Sequence, residues 1–311
     1  MSLQNQFPVL EQAKTFLVLF AHLWTAFSLT KNGLLKSKQS KDFISAASDA
    51  LFEESFGMPT EIFPYPTVKQ VVFEIRYPNL FSIENKIGDF QEKIIGEFPE
   101  SQAFFRRQLV FADIGPEGKL MNLPDQFGQE SGRKMWVFKS KEQIVVNVTT
   151  SSLSISSNQH KTYGNPSSTK KFRDVIEFVL NSFFEVISVP IISRIGLRYI
   201  DECPLPSKDN ETLRKFYNSS FPAERYPISE AEGIYFEITT KRNSHNLIYK
   251  ERLAKEGDQY KLFLDFDGFE NEVPSKDFLK VADELHEMIE EEYFNTIKEP
   301  VKDYMRTGKL E

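Results

Sequence analysis

The sequence is poor in cysteine: Cys203 is the only one in 311 residues. A single thiol can form neither an internal disulfide nor a zinc site built from several cysteines. The chain therefore fits a reducing compartment, and we expect a cytoplasmic protein. A lone cysteine can serve as a nucleophile, but the surrounding YIDECPLP is typical of a strand end and favours a structural thiol.

Long apolar runs are also missing. The apolar part of KTFLVLFAHLWTAFSL, residues 14–29, is shorter than the roughly 18 residues that a membrane-spanning helix requires. Only one base, Lys14, precedes it, and no small-residue cleavage site follows, which argues against an export signal. The stretch therefore predicts a buried helix, and we expect no membrane partner.

The signature motifs of common enzymes are absent. The sequence has no glycine-rich phosphate loop, no H-E-x-x-H, no G-x-S-x-G and no aromatic RNA-recognition signature. Its four histidines form no recognisable metal set. His286 and Glu290 have a spacing that suits a metal, but their acidic neighbours predict a solvated helix face. We expect no cofactor, and an enzyme is the weaker hypothesis.

Basic residues are fewer than acidic ones, which gives a net charge of −7. This balance argues against a protein whose whole surface attracts nucleic acid or acidic lipid, although it does not exclude a local basic groove. Phenylalanine, in contrast, is abundant, with 29 residues. An aromatic-rich core is the favoured explanation, and a pocket for an apolar ligand is the alternative.

Hydrophobic periodicity predicts an α+β protein in three segments. Residues 1–60 predict a helical N-terminal extension. Residues 64–203 predict the order β-α-β-β-α-β with an elaborated middle hairpin, which is the split βαβ order of the ferredoxin-like fold with its antiparallel sheet. Residues 233–311 predict a β-meander followed by a long helix. The similarity of VFEIR (72–76) to YFEIT (235–239) suggests a degenerate second half.

The stretch KLFLDFDGFE, residues 261–270, has the appearance of the nucleophile loop of haloacid dehalogenase-like phosphatases. Such an enzyme needs a long downstream segment to complete its site, whereas only 44 residues follow Asp267. The stretch instead predicts a strand with Asp265 and Asp267 on one face. Two carboxylates so placed can share a hard cation if a third acid approaches. The favoured alternative is solvation or pairing with a base on the next strand.

The stretch SRIGLRYIDE predicts a strand with Arg194 and Arg198 on one face and Gly196 between them. Two arginines beside a glycine can form the floor of an anion site for phosphate or carboxylate. The favoured alternative is a cross-strand salt ladder with the same aspartates, Asp265 and Asp267.

A further pair, His160 and Lys161, lies in a polar loop near Tyr163. Acid–base residues of a metal-independent ribonuclease can have this composition. Together with Arg194 and Arg198, the pair defines a nucleic-acid-binding or RNA-processing hypothesis of the ferredoxin-like type.

Four stretches, VVFEIRYPNL, MWVFKS, RIGLRYIDE and LFLDFD, resemble in order and spacing a sporadically distributed family of uncharacterised prokaryotic proteins. The resemblance covers about residues 64–297 and implies the extent of the folded core. It does not include the helical piece before it, and it implies no activity.

Taken together, these features favour a non-catalytic binding or interaction protein, with a partner protein or a second copy of the chain as its partner. Nucleic-acid binding is the alternative, and the net charge counts against it. A metal-dependent phosphoryl-transfer site at Asp265 and Asp267 is the third hypothesis.

Overall fold

The computed structural model describes residues 61–106, 133–160, 162–164, 171–256 and 259–310. The predicted helical extension of residues 1–60 lies outside the described residues, as does Lys161. One compact unit begins at Phe63 and includes all the described residues that follow it.

In the described part of the chain, nine strands form one antiparallel sheet. They are β1 (Val68–Arg76), β2 (Glu100–Arg106), β3 (Arg133–Lys139), β4 (Val145–Val148), β5 (Ser152–Ser157), β6 (Ile191–Leu205), β7 (Ile234–Arg242), β8 (His245–Glu256) and β9 (Gln259–Pro274). Their order is β2-β3-β4-β5-β1-β6-β9-β8-β7. The two segments predicted as 64–203 and 233–311 therefore contribute to one sheet, which is joined where β6 pairs with β9.

Five helices accompany the strands in the same described ranges. They are α1 (Ile83–Ile94), α2 (Phe172–Val186), α3 (Asn210–Phe216), α4 (Phe278–Thr296) and α5 (Glu299–Thr307). A short 3₁₀ turn, Ser275–Asp277, leads from β9 into α4. The strands β7, β8 and β9 and the helix α4 are the predicted β-meander and long helix.

The core lies between one face of the sheet and a layer that contains α1, α2 and α4. Along β1, Val71, Phe73 and Ile75 point into this core because successive strand residues face opposite sides. The helices bury complementary stripes, such as Ile176 and Leu180 in α2. Burial of these side chains is the main stabilising term.

Helix α4 approaches the sheet closely at Gly268 in β9. A Cβ atom at this position would lie 2.7 Å from Cε of Met288 and 3.1 Å from Cδ1 of Ile289. A glycine at this point of the strand therefore allows the helix to pack directly on the backbone.

The opposite face of the sheet carries partly exposed polar side chains, including those of Glu74, Arg198 and Asp265. We call it the open face and define it by the side chains of β1, β6, β9 and β8 that point away from α1, α2 and α4. The two faces follow directly from the strand period of two.

The predicted α+β class with an antiparallel sheet is confirmed. The crossover β5–α2–β6 places its two strands on either side of β1. However, four strands, β2 to β5, stand where a ferredoxin-like core has two. The ferredoxin-like assignment thus stays a prediction.

A buried carboxylate fixes the segment after α3 to the sheet. Glu251 in β8 has no exposed surface. Its Oε1 accepts hydrogen bonds from the backbone N–H of Ser220 at 2.6 Å and from the Tyr249 hydroxyl at 2.9 Å, and its Oε2 accepts from the Ser219 hydroxyl. A buried carboxylate without such donors would be costly, so these bonds determine where the segment lies.

We expect Glu251→Ala to lower the free energy of unfolding by about 2 kcal/mol, because the buried Tyr249 hydroxyl and the Ser220 N–H lose their hydrogen-bond acceptor. Urea denaturation measures the change. The control is Glu230→Ala, which removes an exposed carboxylate from the neighbouring loop and should change stability by less than about 0.5 kcal/mol. Equal stability of the two variants would contradict this role.

Candidate functional site

The five strand residues singled out from the sequence, Arg194, Gly196, Arg198, Asp265 and Asp267, converge on the open face. The pairing of β6 with β9 sets Arg198 opposite Asp267. Because the residues of each strand differ by an even number, all of them point to the same side. The structure thus brings together the two arginines and the two aspartates, as the salt-ladder alternative expects.

The outer pair of this ladder joins Arg198 to Asp265. Nε of Arg198 donates to Oδ1 at 2.7 Å and Nη2 donates to Oδ2 at 2.6 Å. This two-pronged geometry is the strongest arginine–carboxylate arrangement. The hydrogen bonds to Asp265 raise the pKa of Arg198 above its usual value. The Arg198 side chain remains 41% exposed, whereas that of Asp265 is 14% exposed.

The inner pair joins Arg194 to Asp267. Nη2 of Arg194 donates to both carboxylate oxygens at 2.9 and 3.0 Å, and Nη1 lies 3.4 Å from Oε2 of Glu74. The guanidinium also lies over the ring of Phe269, 4.5 Å from its centroid. Burial raises the pKa of Asp267 despite the opposing effect of Arg194.

The glycine between the arginines makes the inner pair possible. A Cβ atom on Gly196 would lie 2.6 Å from Nη1 and 3.2 Å from Cζ of Arg194. The bare backbone is therefore the floor on which the guanidinium rests. Phe269, directly opposite Gly196 on β9, covers the same space from the neighbouring strand.

Further charged residues surround Phe263, which precedes Asp265 by two residues on the same face of β9. Phe263 is contacted by Nζ of Lys69, at 5.4 Å from its ring centroid, and by the guanidinium of Arg252, at 4.8 Å. Glu202 forms ion pairs with Lys69 and Lys261. The pKa of Glu202 is lowered because hydrogen bonds from these two lysines outweigh the opposing effect of burial.

The described side chains of this face carry more bases than acids on β1, β6, β9 and β8. Seven bases contribute: Lys69, Arg76, Arg194, Arg198, Lys250, Arg252 and Lys261. Four carboxylates oppose them: Glu74, Glu202, Asp265 and Asp267. A local positive excess on a chain of net charge −7 marks this face as electrostatically distinct.

The described residues supply no third acidic ligand for a metal ion at Asp265 and Asp267. Asp265 and Asp267 each face an arginine, and the described ranges contain no cluster of three or more His, Cys, Asp or Glu residues suited to a metal ion. The arginine contacts match the salt-ladder alternative instead.

The predicted pair His160 and Lys161 does not extend the open face. His160 is buried, with its ring 5.6 Å from that of Phe172 in α2 and its Nδ1 2.9 Å from Oγ of Ser157. Burial lowers its pKa. The residue therefore belongs to the helix side of the sheet, and Lys161 lies outside the described residues.

A second polar group, not anticipated as a unit, lies between α4 and the sheet. Asp283 accepts two hydrogen bonds from Arg173, at 2.8 and 2.9 Å, and one from the Tyr163 hydroxyl at 2.9 Å. His286 stacks on Tyr163, with ring centroids 4.2 Å apart, and shares a 3.2 Å hydrogen bond with the Tyr199 hydroxyl.

The expected solvated face of α4 is therefore wrong for His286, because the helix turns this residue towards β6. Burial lowers the pKa of His286 to about 4. It also raises the pKa of Glu290, one turn further along, to about 7, with a smaller contribution from Glu287. The signal available in the sequence was adjacency, since His286 and Glu290 each directly follow a residue of the buried stripe, Leu285 and Ile289.

Comparison with protein-family models, with curated proteins and with solved structures finds no match to this chain. None of the helices within the described ranges combines the length and apolar character needed to cross a membrane.

We expect Gly196→Ala to destabilise the protein by about 1 kcal/mol, because the added methyl group displaces the Arg194 guanidinium from Asp267 and Phe269. In an Arg194→Ala background the same change should be neutral or stabilising, since alanine suits a strand better than glycine. Thermal unfolding of the four proteins measures this reversal. The same destabilisation in both backgrounds would contradict the contact.

We expect the free energy of unfolding to depend on pH through Glu290. Above pH 4.5 the unfolded carboxyl ionises, while the folded one stays mostly protonated until the pH approaches its pKa of about 7. Wild-type stability should therefore fall by about 3 kcal/mol over this window relative to Glu290→Gln. His286 acts in the opposite direction, losing stability as the pH falls from 6.5 towards 4. Because both proteins contain it, their difference isolates Glu290. Denaturant unfolding at several pH values measures the difference; a constant value would contradict the assignment.

Proposed function

We propose that this chain is a non-catalytic binding protein whose open face binds an acidic segment of a partner protein. One observation supports the proposal above all. The open face carries seven bases and only four carboxylates, although the chain has a net charge of −7. An acidic partner would be attracted to this face and repelled by the rest of the surface.

The ladder supports binding because it holds its arginines in fixed positions. Arg194 is held by Asp267, Glu74 and Phe269, and Arg198 by Asp265. Side chains that are already ordered lose little entropy when a partner arrives. Arg76 and Arg198 keep 55% and 41% of their side chains exposed, so each can offer further N–H groups to a carboxylate.

Single-stranded nucleic acid is the second candidate, and the surroundings of Phe263 favour it. An aromatic ring between two bases, here Lys69 and Arg252, is a common element of surfaces that combine phosphate contacts with base stacking. Phosphates and carboxylates are recognised by the same cations. The two candidates therefore differ in whether the ring of Phe263 contacts the ligand, as it would by stacking on a base.

We also infer that the core of the sheet is ferredoxin-like. A ferredoxin-like core extended from a hairpin to the four strands β2 to β5 would account for the position of β1 between β5 and β6. Sheets of this kind commonly bind partners on the face without helices.

The test is fluorescence anisotropy with two labelled probes, an oligoglutamate peptide and a single-stranded oligonucleotide. We expect the peptide to bind at low salt and to dissociate as salt screens the charges. The double variant Arg76→Ala/Arg252→Ala should weaken binding about tenfold, which corresponds to 1.4 kcal/mol.

Lys280→Ala is the control, because this exposed lysine lies on α4, and it should leave binding unchanged. Binding of the oligonucleotide alone, lost in Phe263→Ala, would favour the second candidate. A wild-type protein that binds neither probe, or a double variant that binds as tightly as the wild type, would overturn the open face as a binding surface.

A further inference from the structure

The strand β7 lies at one end of the nine-strand sheet. In the described part of the chain, no strand pairs with its outer side. It is nine residues long, contains no proline and pairs with β8 without a register shift. Natural sheets usually protect an edge by shortening, bending, proline or charged side chains. Of these, β7 has the charged side chains, Glu237, Lys241 and Arg242. The large side chains of Tyr235 and Ile238 are also 62% and 44% exposed.

The hairpin geometry determines which backbone groups point outward. Arg242 and His245 pair across Asn243 and Ser244, which have φ values of 47° and 75°. Two central residues at positive φ define a type I′ turn, whose flanking residues hydrogen-bond to each other. Since bonding alternates along an antiparallel pair, Tyr235, Glu237, Thr239 and Lys241 direct their N–H and C=O groups away from β8. The Lys241 carbonyl accordingly accepts a 3.3 Å hydrogen bond from the Arg242 guanidinium.

The charges on this outward series are self-complementary. Glu237 and Lys241 lie two residues to either side of Thr239, and both are exposed. A twofold axis through paired Thr239 residues would set Glu237 of each strand opposite Lys241 of the other. Opposite charges in directly opposed positions stabilise a strand pair, whereas like charges destabilise it. The same register makes the two exposed Ile238 side chains diagonal neighbours on the helix side.

We propose that β7 is a homodimerisation edge, on which a second copy of this chain adds antiparallel about Thr239 to extend the sheet across both subunits. The interface is isologous, as twofold symmetry requires. The axis is perpendicular to the sheet, so the open faces of both copies lie on the same side. The dimer thus places two copies of the open face side by side for a partner. The proposal of a dimer does not depend on the identity of that partner.

Sedimentation velocity over a dilution series of the full chain tests the proposal. We expect a concentration-dependent dimer in the wild type. Thr239→Pro removes an outward N–H and no bond to β8, so it should yield a monomer that retains its far-ultraviolet circular dichroism. Lys241→Glu should raise the dimer dissociation constant at least about tenfold, because Glu237 then opposes a like charge.

The combined variant Glu237→Lys/Lys241→Glu provides the matched control. In each copy the swap also removes the ion pair of Glu237 with Lys250, so the single variant Glu237→Lys is measured beside it. Opposite charges return across the axis only if the strand pairs with itself in this register, so dimerisation should rise above that of either single variant. A wild type that stays monomeric throughout, a dimer that persists in Thr239→Pro, or a combined variant no better than Lys241→Glu would each overturn the proposal.

Discussion

The alternation of side chains along β6 and β9 is the constraint on which the rest of the structure depends. One side of each strand packs under α4, with Leu197 and Leu264 fully buried. The other side then has to carry Arg198 and Asp265. A slip of one residue in the pairing would exchange the two sides and bury the charges without partners. The hydrophobic core and the charged ladder therefore specify the same register.

The two sides of the molecule differ in charge as well as in polarity. On the open face, arginines and lysines outnumber carboxylates and are ordered by ion pairs and by the rings of Phe263 and Phe269. On the other side, α4 carries Glu284, Glu287 and Glu291 at its surface. Under the binding proposal, an acidic partner would be attracted to the open face rather than to these glutamates, and this difference would orient it.

Much of the architecture could be predicted from periodicity, because strands and helices reveal their buried sides in the sequence. The shared face of Arg194 and Arg198 and that of Asp265 and Asp267 followed from the period of two. Which base meets which acid did not follow. Arg198 and Asp265 are 67 positions apart, and their contact is diagonal to the register that places Arg198 opposite Asp267. Such pairings arise only when the whole sheet assembles.

The position of His286 was predicted wrongly for a related reason. Its neighbours in the sequence are acidic and indicate a solvated face, but the ring of His286 stacks on Tyr163 and hydrogen-bonds with Tyr199 of β6. The number of strands could not be predicted from local sequence patterns either, since nothing in the hairpin segment specifies how many strands separate β1 from the edge.

A double-mutant cycle on Arg198→Ala and Asp265→Ala tests the central claim most directly, namely that the two halves of the sheet are joined by a formed charge ladder. Urea unfolding of the four proteins gives the coupling energy. The account predicts a favourable coupling of about 1 kcal/mol for this partly buried two-pronged pair. Additive effects of the two substitutions would contradict it.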